Sequence, residues 1–122
     1  MKIQLNAEKK VNMRNKRVEV KMRYAFHLKI RKNMETEYVA RHRNVWPSMI
    51  DELKRSGIRN YSIYIDGLDV FGYWECNDIN ETLKFLRDSR INADWQNHMS
   101  EVLETPSDDR ISEGLREIYR LD

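Results

Sequence analysis

Apolar side chains at every second position mark the first predicted element of the chain. In segment 24–30 they alternate with small or polar residues. Side chains two positions apart lie on the same face of a β-strand, so this segment predicts a strand with one buried face. The residues of that face are Tyr24, Phe26, Leu28 and Ile30.

A helical period follows this strand. Apolar positions now recur every three or four residues, which is the spacing of one helix face. We expect Asn33 to cap the N-terminus of the helix and Gly57 to cap its C-terminus. Pro47 lacks a backbone N–H, so the helix should kink or restart there. The predicted stripe consists of Tyr38, His42, Val45, Met49 and Leu53.

Two further strands are predicted on either side of a tight turn. Asp66 and Gly67 form a dipeptide that is typical of β-hairpins, and apolar runs flank it. The predicted strands cover residues 58–65 and 70–75. They should pair in antiparallel orientation because so short a loop allows no crossover.

The last third of the chain predicts a helix pair and a fourth strand. Asp78 and Glu81 have the spacing of a capping box, which begins a short helix ending near Arg87. A second amphipathic segment follows, then a polar loop over residues 105–113 and a strand over 115–121. The apolar positions of the second segment are Trp95, Met99, Val102 and Leu103.

The order β-α-β-β-α-β predicts an α+β fold of the ferredoxin-like plait, of the dimeric α/β-barrel type. Its four antiparallel strands carry helices on one face only. The open face must therefore be polar, hold a ligand or pack against a second copy. We expect a homodimer that packs these faces or shares strands.

Charge divides the chain of 122 residues into an extension and a domain. Residues 1–21 hold seven Lys and Arg and two Glu, a net charge of +5, whereas the remainder carries −3. We expect residues 1–21 to be a dispensable basic extension: a disordered arm, an added strand or a non-native addition. Residues 22–122 then form a single domain, and the basic character gives little support for nucleic-acid binding.

The composition favours a cytoplasmic protein that does not bind membranes. No apolar run reaches the length of a membrane span, and no secretory signal is recognisable. The single cysteine, Cys76, rules out a disulfide within one chain and fits a reducing compartment.

Few classes of chemistry fit the remaining polar and aromatic residues. Phosphate-binding glycine motifs and zinc-ligand spacings are absent, and His27, His42 and His98 lie on three different predicted elements. We therefore expect no metal and no cofactor. Aromatic faces together with a histidine suit a small polyhydroxylated ligand, although core packing explains the same residues. The aromatic candidates are Tyr38, Trp46, Tyr61, Tyr64, Trp74 and Trp95.

Four stretches make the chain resemble the L-rhamnose mutarotase family from about Met22 onward. The most specific is a Tyr, three residues, His, and then an apolar-Trp-Pro triplet, which here begins at Tyr38 and ends at Pro47. The others are Tyr24-Ala25-Phe26, then Gly57 with Asn60-Tyr61-Ser62-Ile63-Tyr64, and finally Trp95 with Met99.

The resemblance implies an activity and a set of site residues. The family interconverts sugar anomers without a cofactor, and its proton donor corresponds to His42. Tyr38 and Tyr61 correspond to sugar-binding tyrosines, and Trp95 to the first of two adjacent tryptophans. The second of these is Gln96 in this chain. An amide in place of a stacking face could change which hydroxyl is recognised. The positions expected near the pocket are Trp46, Tyr64 and Trp74.

Three functions remain open at this point. The first is anomer exchange of L-rhamnose or a related 6-deoxy sugar such as L-fucose, with general acid–base chemistry at His42. The second is a non-catalytic sugar-binding protein on the same scaffold, which the change at Gln96 motivates. The third is another plait enzyme, such as a small monooxygenase or a haem-handling protein, with His27 or His98 as axial ligand.

Overall fold

The computed structural model describes residues 21–104 and 114–122. The basic extension and the polar loop predicted from the sequence fall outside these residues, apart from Lys21. Within the described part, the elements in chain order are β1 (Met22–Lys29), α1 (Glu35–His42), α2 (Pro47–Arg55), β2 (Arg59–Asp66), β3 (Asp69–Cys76), α3 (Ile79–Arg87) and α4 (Arg90–Met99).

The three strands form one antiparallel sheet in the order β1-β3-β2. The predicted alternation of β1 is confirmed, since Tyr24, Phe26 and Leu28 are buried under the helices. Residues between them face the opposite side of the sheet, which the helices leave uncovered. The predicted α+β plait with helices on one face is thus the observed architecture, and the core lies between sheet and helices.

The predicted first helix is two helices with the break at the expected place. Trp46 is the N-cap of α2 and Pro47 occupies its first turn, where a missing N–H costs nothing. At the other end the N–H of Gly57 bonds the Lys54 carbonyl, and the N–H of Ile58 bonds the Leu53 carbonyl. These bonds form a Schellman motif, for which Gly57 has the required positive φ of 95°.

One predicted helix cap is wrong. Met34, and not Asn33, is the N-cap of α1, and it makes no side-chain capping bond. Asn33 instead takes a positive φ of 67° in the turn closed by the Met34 N–H and the Arg31 carbonyl. Asparagine tolerates that conformation, so the turn uses it one residue before the helix begins. The cap predicted at Asp78 is confirmed, because its side chain accepts from the Glu81 N–H at 3.1 Å.

The second predicted helical segment ends earlier than its apolar pattern suggests. Helix α4 stops at Met99, and the chain then turns back to the end of β1. Ile30 and Leu103 form an isolated antiparallel bridge, and the Arg31 N–H bonds the Val102 carbonyl at 2.8 Å. Val102 and Leu103 are therefore buried in the turn that follows α4, where the N–H groups of both residues bond the Met99 carbonyl, and not within a longer helix.

The predicted fourth strand over residues 115–121 is also wrong. The segment passes the free edge of β1, where the Leu115 N–H bonds the Ala25 carbonyl at 2.7 Å and Arg23 pairs with Glu117. No ladder follows within the described residues. The apolar side chains of this segment remain exposed, so pairing brings no burial that would offset the cost of ordering the chain. They are Leu115, Ile118, Tyr119 and Leu121.

The hairpin between β2 and β3 confirms the predicted turn. Asp66 pairs with Asp69, which leaves Gly67 and Leu68 as a two-residue loop, with Gly67 at a φ of 62°. In the described part of the chain, no helix is long and apolar enough to cross a membrane.

The absence of a side chain at Gly72 lets the ring of Phe26 lie directly against β3. It pairs with Phe26 on β1, and the ring of Phe26 lies over the position that a Cβ at residue 72 would occupy. We expect Gly72→Ala to displace this ring and to lower the free energy of unfolding by about 1–3 kcal/mol. Urea denaturation would measure the change. In a Phe26→Ala background the same substitution should cost much less, and an equal cost in both backgrounds would contradict this explanation.

Candidate active site

A cavity of about 1110 Å³ opens between the helices and the covered face of the sheet. Its size lies near the upper end of the range for small-molecule sites. Helices α1 and α4 provide one wall, and strands β2 and β3 provide another. The residues on which the chemistry of the cavity depends are Tyr38, His42, Tyr61, Trp74, Trp95 and Gln96.

His42 is the titratable group best placed for proton transfer. Its Nδ1 lies 3.2 Å from the carbonyl oxygen of Tyr38, one helical turn earlier. A carbonyl only accepts, so Nδ1 carries the proton and Nε2 of the neutral ring has a free lone pair. Burial lowers the pKa of His42, and the bond to Tyr38 offsets only part of this effect. The imidazole is therefore neutral at neutral pH and able to take up a proton.

Two tyrosines reach the cavity from opposite walls. Tyr38 is 3% exposed, and its ring centre lies 4.4 Å from that of His42. Burial raises the pKa of Tyr38. Tyr61 is 38% exposed but lines the cavity, where desolvation of its hydroxyl, followed by the nearby hydroxyls of Tyr38 and Tyr24, raises its pKa. Both cavity hydroxyls therefore stay protonated and can donate to a ligand.

Tyr61 faces the cavity because of its place in the alternation of β2. Ile63, two residues later, pairs with Gly72 on the covered face of the sheet, and Tyr61 shares that face. A bulge precedes Tyr61, since Arg59 pairs with Glu75 and Ser62 with Tyr73, so that two residues of β2 oppose one residue of β3. Asn60 supplies the extra residue at a positive φ of 53°, and its side chain donates to Glu75 at 2.7 Å. The bulge therefore changes the alternation only on the N-terminal side of Tyr61.

Trp95 connects the helices of the site. It is 6% exposed and meets His42 edge-on, with ring centres 5.8 Å apart. Trp46, at the start of α2, packs edge-on against it at 5.0 Å. His98 lies beside both tryptophans, at 5.3 Å from Trp46 and 5.5 Å from Trp95.

Arg41 links α1 to the C-terminal end of α4 by hydrogen bonds and an ion pair outside the cavity. Its guanidinium donates to Glu37 at 2.7 Å and to the carbonyl of His98 at 2.6 Å, and it pairs with Glu101 at 2.9 Å. Arg41 is also the residue directly before His42 on α1. The orientation of α1 relative to α4 is thus fixed from both sides, by Trp95 inside and by Arg41 outside.

The structure brings most of the sequence-derived candidates together, with two exceptions. Trp74 belongs both to the core and to the cavity wall. Its ring stacks on that of Tyr24 with ring centres 4.5 Å apart, and it also lines the cavity. Trp46 lies behind Trp95 and does not line the cavity. Tyr64 is 66% exposed and lies on the uncovered face of the sheet.

Sequence reasoning missed several polar residues of the cavity, among them Arg43 and Asn92. Arg43 follows the last residue of α1 and lines the cavity, but nothing in its surroundings distinguished it from other surface arginines. Asn92 lies one helical turn before Gln96 and accepts from its amide at 3.2 Å. Here a signal was present, because amides four residues apart on one helix face can bond each other.

Comparisons with known proteins agree on one family. Residues 23–121 match the family model described as L-rhamnose mutarotase. The chain is 36% identical to the L-rhamnose mutarotase of Oceanobacillus iheyensis, over 82% of this chain and 98% of that protein. It is 34% identical to the L-rhamnose mutarotase of Flavobacterium johnsoniae, over 86% of this chain and 100% of that protein.

A solved structure gives the same answer at the level of the fold. The crystal structure of L-rhamnose mutarotase from Formosa agariphila superposes on the chain with a TM-score of 0.68 and 26% sequence identity. The match covers 83% of this chain and 99% of that one.

The state of His42 is open to direct measurement. We expect the imidazole to titrate below its usual pKa of about 6.5, since burial disfavours the charged ring. We also expect the neutral form to carry its proton on Nδ1. Long-range ¹H–¹⁵N NMR as a function of pH reports both, and His42→Gln assigns the signals. A pKa above the usual value, or a proton on Nε2, would contradict the described geometry.

Proposed function

We propose that this chain, which belongs to the L-rhamnose mutarotase family, interconverts the anomers of L-rhamnose by proton transfer at His42. The observation that carries the mechanism is the contact between Nδ1 of the partly buried His42 and the Tyr38 carbonyl at 3.2 Å, which leaves Nε2 available as an acceptor in a cavity beside Tyr38 and Trp95. The reaction opens and recloses a hemiacetal and needs no electrons, so no cofactor enters the proposal.

The first step opens the sugar ring. Nε2 of His42 takes the proton of the anomeric hydroxyl, and the bond between C1 and the ring oxygen breaks. Its electron pair goes to the ring oxygen, which takes up a proton from a second group. The product of this step is the open-chain aldehyde, with His42 now as the imidazolium.

Reclosure completes the exchange. Rotation about the C1–C2 bond presents the other face of the carbonyl to the ring oxygen. As the bond reforms, the imidazolium returns its proton to the new anomeric hydroxyl and the ring-oxygen proton returns to its donor. His42 therefore acts as a base in ring opening and as an acid in reclosure. The second of these steps is the proton-donor role that the family resemblance implies.

The second proton carrier is Tyr38 in this proposal. Its ring is the nearest to that of His42 among the cavity tyrosines, and its raised pKa keeps the hydroxyl protonated in the resting site. The same raised pKa disfavours a free phenolate. The proton therefore moves only as the ring oxygen develops charge, either directly or through a water that the hydroxyl holds.

Removal of the imidazole should abolish catalysis while leaving the fold intact. General acid–base help is typically worth ~10²–10⁴ in rate, so His42→Gln should lower kcat by about that factor. Saturation-transfer NMR on the anomeric protons of L-rhamnose measures exchange above the uncatalysed rate. The active form is neutral His42, so the rate should fall only as the pH drops below about 6.5.

A matched histidine on the other face of the sheet serves as the control. Nε2 of His27 donates to the carboxylate of Asp69 at 2.7 Å, away from the cavity, so His27→Gln should retain exchange. Full activity of His42→Gln would refute the assignment of the base. Saturable binding of L-rhamnose by the wild-type chain without faster exchange would favour the sugar-binding protein instead.

A homodimer is part of the proposal because the uncovered sheet face is rich in aromatic side chains. His27, Phe71 and Tyr64 form one row across the three strands, and Phe71 is 44% exposed. The exposed apolar residues of segment 115–122 lie at the neighbouring edge of β1. A second copy of the chain would cover both surfaces and provide the pairing partner that this segment lacks among the described residues.

A charge placed in the aromatic row should separate the two copies. We expect wild-type protein to sediment at twice the chain mass of 14.8 kDa, and Phe71→Asp to sediment at the mass of one chain. Phe71→Leu keeps an apolar side chain and should remain dimeric. Analytical ultracentrifugation distinguishes these outcomes, and a wild-type chain that sediments as a single copy would disprove the dimer.

We also propose a domain boundary at residue 22 and a cytoplasmic location. The family match begins at residue 23, which supports a mutarotase domain over residues 22–122 and a dispensable extension over residues 1–21. Cys76 is buried and free, as a reducing cytoplasm would allow.

A further inference from the structure

Gln96 is held in one orientation by a chain of hydrogen bonds along α4. The first of these hydrogen bonds joins α4 to α3. The carbonyl of Leu86, the next-to-last residue of α3, accepts from the side-chain amide nitrogen of Asn92 at 3.0 Å. Because a backbone carbonyl cannot donate, the side-chain NH₂ of Asn92 must face it. The Asn92 oxygen then faces Gln96 and accepts from its amide nitrogen at 3.2 Å.

This arrangement leaves the carbonyl oxygen of Gln96 as the acceptor of the amide that is available to a ligand. Gln96 lines the cavity one residue after Trp95, and its nitrogen is engaged by Asn92. Among the described residues, no donor bonds its oxygen. The amide therefore presents an acceptor to whatever occupies this part of the cavity, and it cannot turn to present its NH₂ without breaking the bond to Asn92.

An oriented acceptor selects for a donor on the ligand. A sugar hydroxyl can donate, whereas a methyl group or a C–H face would leave the carbonyl oxygen without a partner when water is displaced. Trp95 beside it offers the opposite preference, since aromatic faces accept the C–H faces of sugars. Hydroxyl and C–H surfaces of one ligand would thus meet neighbouring residues of α4.

We propose that Gln96 is a specificity-determining residue that accepts a hydrogen bond from one ring hydroxyl of the bound pyranose. Asn92 is the positioning residue that keeps the Gln96 oxygen turned toward that hydroxyl. This inference rests on the proposed function, because it assumes that the cavity is the sugar site. It adds that a ring hydroxyl, and not the C6 methyl group, is directed at α4.

The test pairs one residue with one hydroxyl. Binding of L-rhamnose and of its 2-deoxy, 3-deoxy and 4-deoxy analogues is measured by tryptophan fluorescence with the wild-type chain and with Gln96→Met. Methionine matches glutamine in length but offers no strong acceptor. We expect the wild-type chain to bind one analogue about tenfold more weakly than L-rhamnose, and Gln96→Met to bind that analogue and L-rhamnose equally.

Asn92→Ala provides the second variant and separates positioning from folding. It leaves Gln96 in place but frees its amide to rotate. We expect discrimination against the same analogue to weaken, with KM for L-rhamnose raised several-fold and kcat nearly unchanged. A general structural defect would lower the affinity for all four sugars by the same factor.

The outcomes distinguish this inference from the proposed function. If anomer exchange is catalysed but Gln96→Met and wild-type chains rank the four sugars identically, Gln96 does not read a hydroxyl. If the coupling between residue 96 and one hydroxyl is present but exchange is not catalysed, the inference holds and the mechanism at His42 fails. Absence of L-rhamnose binding by the wild-type chain would overturn both.

Discussion

The packing of Trp95 between His42 and Trp46 is the contact on which the site depends. Helix α1 carries the candidate base, Trp46 is the N-cap of α2, and α4 carries Trp95 itself. Edge-on aromatic pairs contribute about 0.5–1.5 kcal/mol each beyond the area they bury, so the two contacts favour one relative arrangement of the helices. The orientation of the imidazole is therefore a property of three helices together. The neighbouring Gln96 shares that support, so the candidate base and the amide proposed to recognise the ligand depend on the same contact.

Local rules predicted those parts of the fold whose cause is local. Alternation identified the buried face of β1, Pro47 marked the restart of the helix, and Gly57 and Asp78 capped helices through their own backbone and side-chain chemistry. The errors arose where distant contacts decide. Residues 102 and 103 continue a helical pattern, yet they bond residues 31 and 30, directly after β1. Residues 115–121 alternate like a strand, but no other part of the described chain covers their apolar side chains.

The site was predictable to a similar extent. Helical spacing alone placed Tyr38 and His42 on one face, whereas Tyr61, Trp95 and Gln96 came from the family resemblance, because no local rule connects a strand to a distant helix. Two outcomes could have been read from spacing. Tyr61 and Tyr64 are three residues apart, so a regular strand cannot direct both to one face. Asn92 and Gln96 lie one turn apart beside Trp95, a spacing at which two amides on one helix face can bond each other.

The alternation of β2 makes the length of this strand a chemical variable. Loss of Asn60 would remove the bulge and leave Tyr61 on the covered face, but loss of one residue between Tyr61 and the hairpin would turn Tyr61 to the other face or shift the pairing of the hairpin. Such a one-residue deletion would exchange the hydroxyl of Tyr61 for a different group without altering any codon within the site. Among relatives of this chain, gaps in this strand therefore carry as much information about ligand recognition as substitutions do. An alignment that closes such a gap for convenience would compare residues that face opposite sides of the sheet.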